Sequence, residues 1–407
     1  MSARQMRPIR ETISLDEARA LIAKAVTPVA RTERVRLDLA DGRVIAASVC
    51  ATSDVPPFVR AAMDGYAVRA ADTFGAGTHS ARVLRSVETV FTGQVPTRAV
   101  GPGECTEIAT GAPLPGGADA VVMVEDTEKE VGSAVRIFGP VYPGQNITRQ
   151  GADIAAGQRV LGPGDVLNPS RVGVLAALGV LNVEVYAQPR VAILSTGNEV
   201  VDPGVPLTPG HIYDINKFTL SAVLRQHGAV PIAQPTASDS IDELTRALEM
   251  SLAEDVVLFS GGSSVGERDL ILDVVEQMGE VVFHGIAVKP GKPTLFGIIK
   301  GKPIFGMPGY PTSCLSNAYM LLVAPIRAMA HLPPWTPHTI ELPVGQRIVS
   351  TTGRHQFYTV KIVDGQAMPA FKASGDITSM SHADGYIEIS PQIDIVEKGQ
   401  LVEVRLF

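Results

Sequence analysis

The sequence predicts a multidomain α/β protein, with a β-rich region in its first half, an α/β domain in its second half and a small β domain at its end. Three observations carry this. At 407 residues, the chain exceeds the length at which a single hydrophobic core keeps growing. Between about residues 190 and 307, apolar strand segments alternate with longer helical patterns, which argues for a mostly parallel sheet covered on both faces. Residues 35–148 and 339–407 instead read as short alternating segments cut by Gly, Pro and Asp turns.

Taken in order, Ser14 with Glu17 three residues on reads as a capping box opening a helix to about Val26. The β texture follows, in segments such as VVMVED and SAVRIFG. Asn168 is placed to cap a helix beginning at Pro169 and stopping at Gly179, with strand-like VEVYA after it and a boundary near 188. VAILS, a helix over 217–227, AVPIAQ, a helix over 242–252 and VVLFS then build the α/β domain. FHGIAV, TLFGIIK and PIFGMP continue it, and a long apolar helix with a kink at Pro325 ends it near Pro333. TIELPV, FYTVKIV, YIEIS and LVEVRLF form the last β domain.

Composition narrows the function classes. Hydrophobic residues at 45% and charged residues at 19% describe a globular chain. The N-terminal MSARQMRPIRETISLDEARA has no apolar core of a signal peptide, and no later stretch is an unbroken membrane span, so a cytoplasmic location without membrane contact is expected. A net charge of -7 gives no general attraction to nucleic acid. Cys50, Cys105 and Cys314 are too few and too scattered for a disulfide framework or a zinc site, and are expected to be buried thiols.

The candidate chemistry lies where apolar strands run into polar, glycine-containing loops, because the carboxyl ends of strands form the ligand crevice of open α/β sheets. VAILSTGNEV offers Ser195, Thr196, Gly197 and Glu199 to an anion and a metal, or is a cap or tight turn. In VVLFSGGSSVGERD, Gly261 and Gly262 admit close backbone approach, Ser263 and Ser264 supply donors, and Asp269 either holds hydrated Mg2+ or stabilises a helical turn. VKPGKPTLFG sets Lys289 and Lys292 about a Pro-Gly bend that can turn two ammonium groups toward one oxyanion, the alternative being two solvated lysines. GMPGYPTSC supplies a rigid turn, Pro308 to Pro311, before a helix that Thr312 or Ser313 would cap. Asp64 in MDGY and Asp153 in QGAD are, by themselves, ordinary turn residues. No GxxxxGK[ST], GxGxxG or HExxH pattern is present, so neither a P-loop ATPase, a nicotinamide enzyme nor a zincin is signalled. Trp335, Phe357, Tyr358 and Tyr386 are expected in core packing rather than base stacking.

Together, AAMDGYAVRAAD, ATGAPLPGGADAVVMVED, GQNITRQGAD, PRVAILSTGNEV, IYDINKFTL, SGGSSVGERD, VKPGKPTLFG and GMPGYPTSC resemble the molybdopterin molybdenumtransferase family, across nearly the whole chain. The resemblance implies a discontinuous first domain (1–30 plus 149–188), an inserted β-rich second domain (31–148), a molybdopterin-binding three-layer α/β third domain (189–332) and a C-terminal β-barrel-like domain (333–407). It implies a homodimer whose cleft takes surfaces from the partner subunit, and insertion of molybdate into adenylyl-molybdopterin with release of AMP, assisted by Mg2+. Transient contact with a molybdopterin adenylyltransferase belongs to the same expectation.

Carried over residue by residue, the resemblance assigns Asp64, Asp153, Glu199 and Asp269 to the reaction, with Glu199 and Asp269 as metal ligands. Thr110, Gly261, Gly262, Ser264, Lys289, Lys292, Pro308, Pro311 and Ser374 fall to substrate binding. One departure is PGYPTS, where many relatives have PGNP: a phenol at Tyr310 replaces an amide, as in an archaeal-type variant, and leaves tungstate open in place of molybdate. Two other readings stand beside insertion: a molybdopterin adenylyltransferase using ATP, and a non-enzymatic scaffold retaining the fold.

Overall fold

A computed structural model describes residues 11–261 and 270–407. The chain forms two compact units: one from the described residues through Glu33, Gly42–Val44 and Val185–Phe407, the other from Arg34–Asp41 and Ile45–Glu184.

In the first unit, the Arg190–Ser195, Val230–Ala233, Val256–Ser260 and Lys302–Met307 strands lie parallel, and Leu295–Ile299 and Glu280–His284 extend the sheet antiparallel beyond Lys302–Met307. The period-two alternation of each strand decides what covers it. Val191, Ile193, Val256, Leu258, Phe305 and Met307 face one side, against the helices Leu15–Ala25, Asn216–Gln226 and the segment after Pro311. Ala192, Leu194, Val257, Phe259 and Ile304 face the other, against Ile241–Ser251 and Leu270–Met278. The expected three-layer arrangement results.

Helix starts follow their capping chemistry. The hydroxyl of Ser14 accepts from Glu17 N at 3.1 Å, and Asn168 Oδ1 accepts from Arg171 N at 2.9 Å ahead of Pro169. The PGYPTS helix differs from expectation. It begins at Pro311, whose missing N–H is no loss in a first turn, and Tyr310 precedes it without a side-chain cap. Thr312 does not cap; its hydroxyl donates to Asp376 O at 3.0 Å. Further on, the irregularity expected at Pro325 sits upstream, as a π-helical turn over Ala318–Leu322 between α-helices Pro311–Asn317 and Val323–Met329. A proline cannot donate to the carbonyl four residues back, and a widened turn before it absorbs the mismatch.

The C-terminal segment pairs Thr339–Pro343, Leu401–Leu406, Gly385–Ile389, His355–Val363 and Gln366–Pro369 antiparallel in that order. A bridge from Val344 to Ala367 joins the last to the first, which gives the barrel-like character. Phe357 and Tyr386 stack inside at 4.0 Å, as their core assignment requires. Val288–Lys289 adds to this sheet, parallel to His355–Gln356.

The second unit holds a six-stranded sheet in the order Ala120–Met123, Gly65–Val68, Glu104–Ile108, Arg82–Val90, Ala134–Ile137, Thr127–Lys129. Cys105 is buried there, as Cys314 is in the first unit, but Cys50 is exposed, contrary to expectation. It lies on the two-residue strand Val49–Cys50 just before buried Ala51, and alternation turns it outward. Among the described residues, no helix is long and apolar enough to cross a membrane.

Candidate functional site

The carboxyl ends of three central parallel strands come together at Ser195, Ser260 and Met307, with Ser260 the register partner of both the others. Each strand then leaves the sheet through one of the glycine-containing loops. Gly261 is the tight point: at φ +104°, a Cβ there would meet Thr196 O at 2.5 Å, so only glycine lets these two loops lie against each other. Gly309 of the PGYPTS turn packs over it, and Asn216 Nδ2 donates to Gly309 O at 2.8 Å. Glu199 is exposed, with its carboxylate folded back beside Gly197.

This crevice is polar beyond what its own structure consumes. Ser195 Oγ, Thr196 Oγ1 and Asn216 Oδ1 are buried and take no hydrogen bond among the described residues, whereas buried Asp214 Oδ2 has the ammonium of Lys217 at 3.6 Å. Buried polar groups are ordinarily paired, and a concentration of unpaired ones marks a place built for something else. Asp214, Asn216 and Lys217 received no role from sequence reasoning. The signal was present in IYDINKFTL, where two polar side chains and a lysine open a helix whose later residues are apolar.

A second group assembles around the lysine loop. Lys289 Nζ donates to Thr351 Oγ1 at 2.8 Å, and the Lys292 carbonyl accepts from Ile286 and Thr294 N. Asn317, fully buried on the PGYPTS helix, donates to Gly291 O at 2.9 Å and to Thr294 Oγ1 at 2.6 Å. Ser374 O accepts from Thr312 N at 3.1 Å. The lysine loop, the proline turn with Pro308 and Pro311, and the Ser374 loop are therefore one hydrogen-bonded assembly. Gly262, Ser264 and Asp269 lie outside the described residues.

In the second unit, three motifs far apart in sequence meet on one rim. Arg60–Ala61 pairs with Ile147–Thr148, while Gly111 N donates to Ala61 O and Ala62 N to Asn146 O. Asp64 Oδ1 accepts from Thr110 N at 2.6 Å and from Thr110 Oγ1 at 2.8 Å. Donation from that backbone N–H, then from the hydroxyl, holds the Asp64 carboxyl below the ordinary aspartate range. Asp153, five residues beyond the Ile147–Thr148 strand, is exposed, its N–H donating to Val55 O at 3.0 Å. Beside it, Asp54 accepts from Gln150 Nε2 and Ala156 N, a neighbour that sequence reasoning left unremarked.

A crevice at the carboxyl ends of a three-layer α/β sheet, with the proline turn packed over it, is where open α/β sheets take their ligands, and it defines a multidomain protein with an α/β ligand-binding domain fold. Family models match nearly the whole chain: the MoeA N-terminal region (domain I and II) over residues 13–179, a probable molybdopterin binding domain over 192–328 and the MoeA C-terminal region (domain IV) over 341–407. Molybdopterin molybdenumtransferase 2 of Mycobacterium tuberculosis is 34% identical, over 96% of this chain and 98% of that one. The Haemophilus influenzae molybdopterin molybdenumtransferase is 36% identical over 76% of each. The crystal structure of a molybdopterin biosynthesis MoeA protein from Pyrococcus horikoshii has TM-score 0.83 at 39% identity, covering 97% of this chain and 99% of that one. The chain belongs to the molybdopterin molybdenumtransferase family.

Proposed function

We propose that this chain is an enzyme that inserts molybdenum into molybdopterin, taking adenylyl-molybdopterin and molybdate, or tungstate in its place, and releasing AMP. The convergence of MDGY, ATGAP and QNITRQGAD on one rim carries insertion over adenylylation, since these first-half strings have no use in a protein that is only the α/β domain. Family membership along nearly the full chain supports the same reading, and a four-domain division at about residues 30, 149, 188 and 333 belongs to the proposal.

In this reading Lys289 and Lys292 orient the anionic substrate, with Thr110, Gly261, Gly262, Ser264, Pro308, Pro311 and Ser374 completing its binding. Asp64 and Asp153 act from the rim and Glu199 from the crevice, and Asp269 takes part in the same reaction. Among the described residues no three His, Cys, Asp or Glu side chains gather as a metal cage. Mg2+ keeps several waters and binds through one or two carboxylates together with substrate phosphates. Glu199 and Asp269 would hold it, and it would neutralise phosphate charge. A cytoplasmic homodimer that transiently meets the adenylyltransferase completes the proposal, and sedimentation velocity reads its mass.

The deciding assay supplies purified adenylyl-molybdopterin and molybdate without ATP, and in parallel molybdopterin with ATP. Cofactor formation from the first mixture alone is expected. A requirement for ATP would make the chain an adenylyltransferase, and neither binding nor turnover in either mixture would make it a scaffold.

A further inference from the structure

The segment carrying Glu199 is anchored in an unusual way. Two short parallel strands, Val200–Val201 and Ile212–Tyr213, pair side by side, and between them residues 202–210 are all exposed. Ile212 N donates to Glu199 O at 2.8 Å and Asp214 N to Val201 O at 2.9 Å. Each strand is followed at once by an aspartate, Asp202 after the first and Asp214 after the second. Both aspartates turn to one ammonium: Lys217 Nζ lies 2.6 Å from Asp202 Oδ1 and 3.6 Å from Asp214 Oδ2. The Lys217 and Asp214 side chains are only 7% and 3% exposed, whereas that of Asp202 is 55% exposed. Asp214 Oδ1 also accepts from Lys217 N at 2.9 Å, which fixes the first turn of the Asn216–Gln226 helix.

We infer that Lys217 is a positioning residue that staples the ends of this two-strand ribbon to the helix beneath, and thereby sets Glu199 at the strand-end crevice. The inference rests on the role proposed above for Glu199. Burial is what gives the staple its strength. Two exposed charges at this distance would contribute little, but a buried ammonium facing a buried carboxylate cannot lose its partner without leaving an uncompensated charge. The proline- and glycine-rich loop 202–210 is exposed along its whole length and buries no side chain, Val205 and Leu207 included, so the ion pairs at its base supply the constraint that packing supplies elsewhere. The ammonium is placed to hold a carboxylate-bearing segment and not to meet the substrate itself, because both its neighbours are carboxylates.

The test uses the full-length protein and three variants. Asp202→Asn breaks the outer arm of the staple and spares the buried pair, so the fold is kept. Lys217→Arg retains the charge, and Lys217→Met removes it. Hydrogen exchange of the peptide spanning residues 200–214 reads the ribbon directly, and turnover with molybdate as varied substrate reads its purpose. Asp202→Asn should exchange the Ile212 and Asp214 amides about tenfold faster and lower kcat by roughly ten- to a hundredfold with KM nearly unchanged. Lys217→Arg should retain most of both. Unchanged exchange in Asp202→Asn and Lys217→Met overturns the staple. Faster exchange with unaltered kcat, or a loss confined to KM, overturns its positioning role. Wild-type turnover in Glu199→Gln would instead remove Glu199 from the reaction, and the exchange measurement would still decide the staple by itself.

Discussion

The side-chain amide of Asn317 donates to the carbonyl of Gly291 at 2.9 Å, and a Cβ at Gly291 would stand 2.5 Å from that same amide. The bend between the two lysines is thus held by a buried group on the helix after the proline turn. Gly291 also sits at φ +100°, a conformation that side-chain-bearing residues resist. Gly291→Ala should cost roughly 1–3 kcal/mol from backbone strain alone, read as a lower urea midpoint, and should weaken anion binding. Adding Asn317→Ala relieves the collision, so the two losses should combine to less than their sum; strict additivity would mean the two positions are not coupled.

Asp64 leads to a pH prediction. Its carboxyl is held below the ordinary range by the N–H and then the hydroxyl of Thr110. A depressed folded-state pKa contributes stability that is present above the unfolded value and lost as pH falls through the folded one. Thr110→Val removes the hydroxyl but keeps the N–H, so the Asp64 carboxyl should titrate at higher pH than in the wild type while staying below a free aspartate. A carboxyl-carbon NMR titration reads this, and identical curves would refute it.

Lys292 and Asp269 should separate binding from turnover. An ammonium attracts an oxyanion directly, whereas a carboxylate repels it unless a cation stands between them. Lys292→Ala is expected to weaken calorimetric binding of adenylyl-molybdopterin without Mg2+. Asp269→Asn should keep much of that binding and lose most Mg2+-dependent turnover. Normal turnover of Asp269→Asn at every Mg2+ concentration would end its role in the reaction.

Tyr310 is exposed on the proline turn, and its ring lies 3.6 Å from where a Cβ on Gly375 would be, so it faces the Ser374 loop. Replacing a phenol by an amide changes both the size and the donor set of that wall. Tyr310→Asn should alter the ratio of molybdate to tungstate incorporated in direct competition. An unchanged ratio would clear this turn of any part in selectivity.

His227 is buried edge-on to Trp335, ring centroids 5.3 Å apart, and its ring nitrogens have no hydrogen-bond partner among the described residues. Burial, with Arg327 nearby adding repulsion, lowers its pKa from 6.5 to about 4. Below pH 6.5 the unfolded chain therefore binds the proton that the folded chain refuses, and stability drains away until about pH 4. The loss is on the order of 3 kcal/mol. His227→Leu should flatten that part of the stability-pH curve measured by denaturant titration.

What the sequence disclosed and what it withheld divide along contact range. Ser14, Asn168 and the strands of the α/β sheet were legible because caps and periodicity are local. Asn168 and Pro169 state a helix start within two residues. The union of Lys289 with Thr351, the addition of Val288–Lys289 to the C-terminal sheet and the bridge between Val344 and Ala367 carry no local signature; each exists only once two distant segments have met. Asp214 and Lys217 were hidden for another reason. Three residues apart, they look like a solvated helix start, and only the fold makes them a buried ion pair. Thr312 misled because a threonine near a helix start reads as a cap, while its hydroxyl belongs to the Asp376 loop.

The helix Leu15–Ala25 gives its apolar side, Leu15, Ala18 and Ile22, to a core whose other members come mostly from beyond residue 190. Arg19 Nε donates to Met320 O across 301 residues of chain. At a synthesis rate of about 5–20 residues per second, that first helix waits some tens of seconds for its partner. A contact this distant in sequence must also pay for closing a very long loop before it returns any stability. During synthesis the N-terminal helix therefore cannot dock before its partners have been made, and until then its apolar stripe is a surface that a chaperone, or another nascent copy, can find first.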